Sequence, residues 1–375
     1  MNLSSHIAKT ANTHRSEIRD DGSISPGHNG LYGDKETPVR NTSHWLLTFS
    51  HLYQQTGNNS FRNAAERTSS YLRSQDSRPE GWTFHHRAED GKDACNGLIG
   101  QAWTIEALAV AADALADREL AQLAEDVFLM HPQDERTGIW KRVEIDGRTL
   151  PFDATFNHQI WFAAAGGILA NLSWTSSQID TRVRRFLDEL EQNLRLYPSG
   201  LVFHPLKPTD SLRRLLHLAW VDERNRIGVT FGTSSIPLPS RKQQLRWKAI
   251  GYHAFNLYAF ALLKQQYPDH SFWSSEKCTR SLNYITSSAY REKVWENEYG
   301  PAYNPVGFEV PFAMEVFDIG SADERRWWIT KQFNRHYNMN TNRMDRNTPD
   351  AETLTARLYQ ATRLSDIALP DHDPI

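Results

Sequence analysis

Helical segments of two kinds take turns along this chain, and no other feature limits its fold more. HWLLTFSHLYQQ (44–55) is followed by FRNAAERTSSYLRS (61–74), LIGQAWTIEALAVAADAL (98–115) by ELAQLAEDVFLM (119–130), and FNHQIWFAAAGGILANL (156–172) by TRVRRFLDELEQNLRLY (181–197). The series continues with YHAFNLYAFALLKQQ (252–266) and FWSSEKCTRSLNYITSSAY (272–290), then FEVPFAMEVF (308–317) and DERRWWITKQFNRHY (323–337). DAETLTARLYQATRL (350–364) stands without an obvious partner. The first helix of each pair is the more apolar, and the second carries more Arg, Lys, Asp and Glu. A helix apolar all round must be buried, whereas a striped one keeps a face in water, so the pairs read as inner and outer helices of a ring. Trp45, Trp103 and Trp161 stand 58 residues apart near the starts of three inner helices and mark the same repeat.

A single domain is expected over residues 30–365, after a polar extension at 1–29 and before a tail at 366–375. The excursion at 198–245 has no helical period. Its strand-like pieces GLVFH (200–204) and RIGVTFG (226–232) suit a hairpin, and an insertion of this length is more often functional than idle.

Composition removes several classes of function. Hydrophobic residues make up 39% and charged residues 23%, with a net charge of −3 and no basic stripe, so nucleic acid is not an expected partner. No apolar run has the length of a membrane span, and the first residues lack the apolar core of a secretory signal. Two cysteines, Cys95 and Cys278, give no disulfide framework and fit a reducing cytoplasm. No metal or other cofactor is expected. Neither cysteine has a paired ligand nearby, and the P-loop, GxGxxG and GxSxG patterns are absent. The 12 Trp, 13 Tyr and 17 Phe are the unusual count, and flat rings that pack helices also stack on sugars.

Polar residues gather where the inner helices begin. DATFNHQIW (153–161) crowds Asp153, Asn157, His158 and Gln159 ahead of an almost wholly apolar run. Similar entrances read PGHNGLYGDKETPVRNTSHW, DGKDACNGLIGQAW, LRWKAIGYHAFN, YGPAYNPVGFEVP and NTPDAETLTARLY. If the inner helices run parallel, all six N-termini open at one rim. That rim then collects Arg40, His44, Asp93, Asn96, Asp153, Asn157, His158, His253, Asn256, Tyr303, Asn304 and Glu309. Capping accounts for one residue per helix, and Asp153, Thr155, Thr42 and Asp350 all suit that role. His158 and His253 also read as satisfied interior histidines, and the tryptophans as core. The entrances hold three or four polar residues each, which capping alone does not require. Glu106 and Glu309 lie inside apolar helices, where an unpaired carboxylate is costly, so each needs a partner; Arg40 is a candidate.

These alternating hairpins, Trp-rich entrances and polar rims resemble the six-hairpin (α/α) toroid superfamily, which includes glycoside hydrolases, polysaccharide lyases and sugar 2-epimerases. ETPVRNTSHWL, NGLIGQAW and YNPVGFEVP are similar to toroid proteins associated with bacterial surface-polysaccharide gene clusters. The resemblance implies an all-α (α/α)6 toroid acting on carbohydrate. The leading expectation is a glycoside hydrolase with Asp153 and Glu309 as its two carboxylates and Asp93 as substitute. Arg40, His44, Asn96, Asn157, Asn256, Tyr303 and Asn304 would bind substrate, and Trp45, Trp103 and Trp161 would line the funnel. The alternatives are an epimerase or isomerase using a pair of histidines, which His158 and His253 match in position, a lyase, or a glycan-binding ring without chemistry.

Overall fold

A computed structural model describes residues 2–206 and 241–369. The first helix, α1 (Leu3–Arg15), lies inside the segment expected to be a polar extension. It is not an appendage. Leu3, Ile7 and Ala11 recur every fourth residue and are buried, and the helix packs against both the second helix and the C-terminal segment.

The hairpins follow in order. α2 (Val39–Thr56) pairs with α3 (Asn59–Arg73), α4 (Gly97–Leu115) with α5 (Arg118–Met130), and α6 (Phe156–Ala170) with α7 (Ser177–Asp188), which ends in the single turn α8 (Leu190–Asn193). α9 (Arg241–Gln266) is covered by α10 (Glu276–Ile285) and α11 (Ser288–Val294), and α12 (Val306–Phe317) by α13 (Ala322–His336). α14 (Ala351–Ala356) runs on as a tight 3-10 helix, Arg357–Arg363, and α1 supplies the outer partner that this last segment lacks in sequence. The inner helices contact one another in the order α2, α4, α6, α9, α12, final segment and back to α2, which closes an all-α (α/α)6 toroid.

Local chemistry explains the joints. Gly57 takes φ 65°, open to glycine without strain, and turns α2 into α3 within two residues, where the Asn58 side chain accepts the Ser60 N–H at 2.9 Å. Asp117 caps α5 in the same way, accepting from Glu119 and Leu120. Such short inner-to-outer links leave the longer return loops at the opposite end, where every inner helix starts. One of those loops holds a small antiparallel hairpin, β1 (Lys141–Val143) with β2 (Thr149–Phe152), that the sequence pattern did not reveal.

α4 is the one helix among the described residues with the length and hydropathy of a membrane span, and 78% of that stretch is buried at the ring's centre. The expected strand at 226–232 lies outside the described residues. Its partner at 200–204 instead bridges locally, Val202 to Leu196, while Pro205 bridges to Thr155 beside the head of α6.

Candidate active site

Asp153 stands between β2 and α6, with both carboxylate oxygens occupied. Oδ2 accepts the His158 Nδ1–H at 2.8 Å and the Leu98 N–H at 3.1 Å, and Oδ1 accepts the Thr155 N–H at 3.1 Å. The residue therefore caps α4, a neighbouring helix, while Thr155 occupies the N-cap position of α6 with no side-chain bond. Burial opposes the charge on Asp153, yet His158, Arg142 and these N–H groups hold its carboxyl well below the usual range. Hydrogen bonding to a carboxylate whose charged form is favoured sets a proton on His158 Nδ1. Nε2 is then a lone-pair nitrogen, with no partner among the described residues, on a side chain 25% exposed.

From His158 a series of side chains follows the rim. His204, whose backbone carbonyl accepts from Phe156 at 2.9 Å, lies in the segment that runs past the start of α6. Burial pushes its imidazole well below the ordinary value, and the charge of Lys248 adds to that, so it is neutral. Its ring centre is 4.8 Å from that of Tyr252, whose hydroxyl shares a 3.1 Å hydrogen bond with Tyr32. Tyr252 packs edge-on to Tyr303 at 6.1 Å, and the Tyr303 hydroxyl donates to Asn29 Oδ1 at 2.9 Å. The same Asn29 oxygen accepts from Arg40 Nη1 at 3.2 Å. Gly30 permits this approach, because a Cβ there would stand 2.3 Å from the Tyr303 ring.

Arg40 is 1% exposed, and Glu36, not Glu106 or Glu309, is its ion-pair partner at 2.9 Å. Its guanidinium lies 4.3 Å over Trp103, and its Nε and Nη2 have no partner among the described residues. Beneath it His44 stacks on Tyr359 at 4.6 Å and meets Trp103 edge-on at 5.4 Å. Both His44 ring nitrogens are unpartnered, and burial beside Arg40, Arg357 and His86 keeps the ring neutral. Glu309 pairs with Arg357 at 2.7 Å, and burial pushes its carboxyl up to about 7 against the pull of that arginine. Glu106 pairs with Arg363 at 2.6 Å.

The remaining expected residues divide. Asn96 sits at φ 56° where α4 begins, and Gly97 next to it packs so close that a Cβ would lie 2.6 Å from Asp153 Oδ2. Asp93 is locked between Arg87 and Arg142, which together overcome burial and hold its carboxyl low. Asn157 and Asn256 are buried, each with its side-chain oxygen unpartnered. Asn304 accepts from Arg357 at 2.7 Å and donates to Tyr299 O at 2.8 Å. Three expected positions lie away from this rim. His253 faces the outer layer, accepting from Val202 N at 3.3 Å and bonded through Nε2 to Ser281 O at 3.1 Å. Trp45 stacks on His14 of α1 at 4.2 Å, and Trp161 is wedged against Phe255 and Tyr258. All three are buried side chains.

Several rim groups escaped the sequence reading: Asn29, Tyr32, Glu36, His204, Tyr252 and Arg357. Five of them lie within the polar entrances, Arg357 among them inside TARLY. His204 sits in the excursion, where only its location in a long insertion hinted at a role. No group of three or more His, Cys, Asp or Glu among the described residues is placed to hold a metal ion.

Comparison with solved structures agrees on the architecture. A D-mannose isomerase aligns with TM-score 0.63 at 14% identity over 96% of each chain. A cellobiose 2-epimerase from Bacillus thermoamylovorans aligns with TM-score 0.61 at 11% identity over 96% of this chain and 99% of its own. An inactive variant of an α-1,6-mannanase from a Salegentibacter species, in complex with α-1,6-mannotetrose, gives TM-score 0.57 at 10% identity over 97% and 98%. At these identities the likeness is one of fold. No protein-family model matches the chain. In sequence it is 47% identical over 364 residues, 97% of its length and 98% of the relative's, to archaeal glycosylation protein Q of Haloferax volcanii. The chain belongs to the family of archaeal glycosylation protein Q.

Proposed function

We propose that this chain is a glycan-processing enzyme that moves a proton beside the carbonyl of a reducing sugar, an isomerase or epimerase with His158 as the base. The observation that carries the proposal is the Asp153–His158 pair, which fixes the tautomer and leaves Nε2 at the rim. Nε2 takes the proton from the carbon next to the carbonyl, and the resulting imidazolium is stabilised by the Asp153 carboxylate. The unpartnered Nε–Nη2 edge of the buried Arg40 guanidinium supplies donors suited to the oxygens of the enediolate that forms. His204, neutral and on the same stretch of rim, takes the place His253 had in the sequence reading. The isomerase and epimerase among the proteins of like fold fit this chemistry, and the family name fits a sugar substrate.

The hydrolase reading keeps one observation: Glu309, with a carboxyl near neutrality and Oε2 unpartnered, resembles a general acid. Its expected companions, Asp153 and Asp93, are ionised as a nucleophile or base must be, but their oxygens are taken up by His158 and backbone N–H groups and by Arg87 and Arg142. The two free, buried thiols Cys95 and Cys278 are compatible with a reducing compartment.

The test is solvent exchange. A panel of reducing sugars is incubated with the enzyme in deuterated water and followed by NMR. Deuterium at the carbon beside the carbonyl, lost in His158→Gln, is the expected result. Glycosidic cleavage without exchange, or exchange that survives His158→Gln, overturns the proposal.

A further inference from the structure

Lys248 occupies an unusual place at the mouth. It lies on the second turn of α9, half-buried, with its ammonium 5.5 Å from the Tyr32 ring centre, 5.7 Å from Tyr252 and 5.9 Å from Tyr299. Three aromatic faces form a cage around one cation. No carboxylate among the described residues pairs with it. Glu298, beside Tyr299 in sequence, is taken up by the Trp247 indole N–H at 2.5 Å. The cage borders the proposed reaction site, since Tyr252 also touches His204 and Lys248 is close enough to depress that histidine's basicity. The approach is basic as well: RKQQLRWK (241–248) holds four cations and no acid.

A hydroxyl would leave such a cation uncompensated at the edge of a low-dielectric mouth, whereas a phosphate oxygen would match it in charge and accept its N–H groups. The basic turn raises the local concentration of anions. We propose that Lys248 and its tyrosine cage bind a phosphate ester carried by the substrate, so that the sugar processed here is a phosphorylated one. This rests on the isomerase reading only for the position of the reacting sugar. The phosphate sits on a soluble sugar whose anomeric carbon is free, because a sugar joined to a lipid carrier through that carbon has no carbonyl; a carrier phosphate offers the same oxygens, and the test separates the two.

The experiment reads binding without turnover. The full chain is titrated calorimetrically with glucose and with glucose 6-phosphate, which keeps its anomeric carbon free. In parallel it is sedimented with phosphatidylcholine vesicles that contain or lack a polyprenyl phosphate. The expected result is at least about a tenfold preference for glucose 6-phosphate over glucose. That preference disappears in Lys248→Gln, returns in Lys248→Arg, and is unchanged in Lys264→Gln at the far end of α9. A preference confined to the titration places the phosphate on a soluble sugar, and one confined to the vesicles overturns the proposal, because a carrier-linked sugar has no free carbonyl. Equal binding in both pairs, or a preference that survives Lys248→Gln, overturns the proposal. His158→Gln separates the two readings, because it removes exchange while leaving phosphate binding intact.

Discussion

The Asp153 carboxylate and the His158 imidazole meet at 2.8 Å, and the same oxygen also takes the Leu98 N–H that opens α4. One acid thus fixes the direction of a ring on α6 and the start of the helix before it. Asp153→Asn keeps an acceptor for Leu98 but loses the charge that stabilises an imidazolium. The exchange rate is expected to fall about 10- to 100-fold, with KM changed little. Initial rates of deuterium incorporation over a range of sugar concentrations check this, and an unchanged rate removes Asp153 from the mechanism.

His253 offers a test in acid. Burial lowers its pKa from the ordinary 6.5 to about 3, so between those values the unfolded chain binds a proton that the folded chain refuses. Stability from this site is complete above pH 6.5 and is lost as the pH falls toward 3. In His253→Gln the slope of unfolding free energy against pH should flatten by about 1.4 kcal/mol per pH unit in that window. Urea titrations at several pH values measure it, and parallel slopes for the two proteins contradict it.

Arg357 donates to Tyr303 O, Asn304, Glu309 and Gln360 from a position 2% exposed. Arg357→Met strands a buried carboxylate and is expected to cost about 3–5 kcal/mol at pH 8. Because Glu309 titrates near 7, the loss should be smaller at pH 6, where the carboxyl takes up a proton. The double variant Arg357→Met/Glu309→Leu should recover much of it. A single and a double variant of equal stability would show that the pair is not the cause.

Ser321 and Glu324 form a reciprocal cap at the head of α13, at 3.1 and 2.9 Å. Ser321→Ala should lower stability by about 1 kcal/mol and leave exchange unaltered, since the cap is on the outer layer. Thermal melts beside exchange rates report both halves.

The inner helices were legible because a helix buried on every side has to be apolar on every side, as in EALAVAADAL and FAAAGGILANL. α1 was not, since SHIAKTANTHR shows only a sparse apolar stripe whose meaning depends on a partner at the other end of the chain. The site divided on geometry. Arg40, His44, Trp103, Asp153 and His158 stand at helix starts, where direction follows from position. His253 failed that rule because α9 begins at Arg241, well ahead of the apolar run, which puts the histidine in mid-helix and facing outward. Trp45 and Trp161 occupy nearly the same turn as Trp103, but one residue of rotation, or a neighbour such as His14, decides which way an indole points. His204 belongs to a segment held by bridges to Thr155 and Leu196, and such pairings leave no period to read.

The sixth hairpin joins the two ends of the described chain. Asn2 donates to Asp366 at 2.6 Å across 364 residues, and Leu3 N bonds to Ile367 O at 2.9 Å. During synthesis α1 must therefore wait, its apolar face uncovered, until the final segment has emerged from the ribosome. The ring can assemble hairpin by hairpin through local contacts, but its last gap closes only through contacts of the greatest possible sequence separation. Closure of that gap is then expected to follow formation of the hairpins. It is also the stage at which the nascent protein is most open to chaperones or to a neighbouring copy's α1.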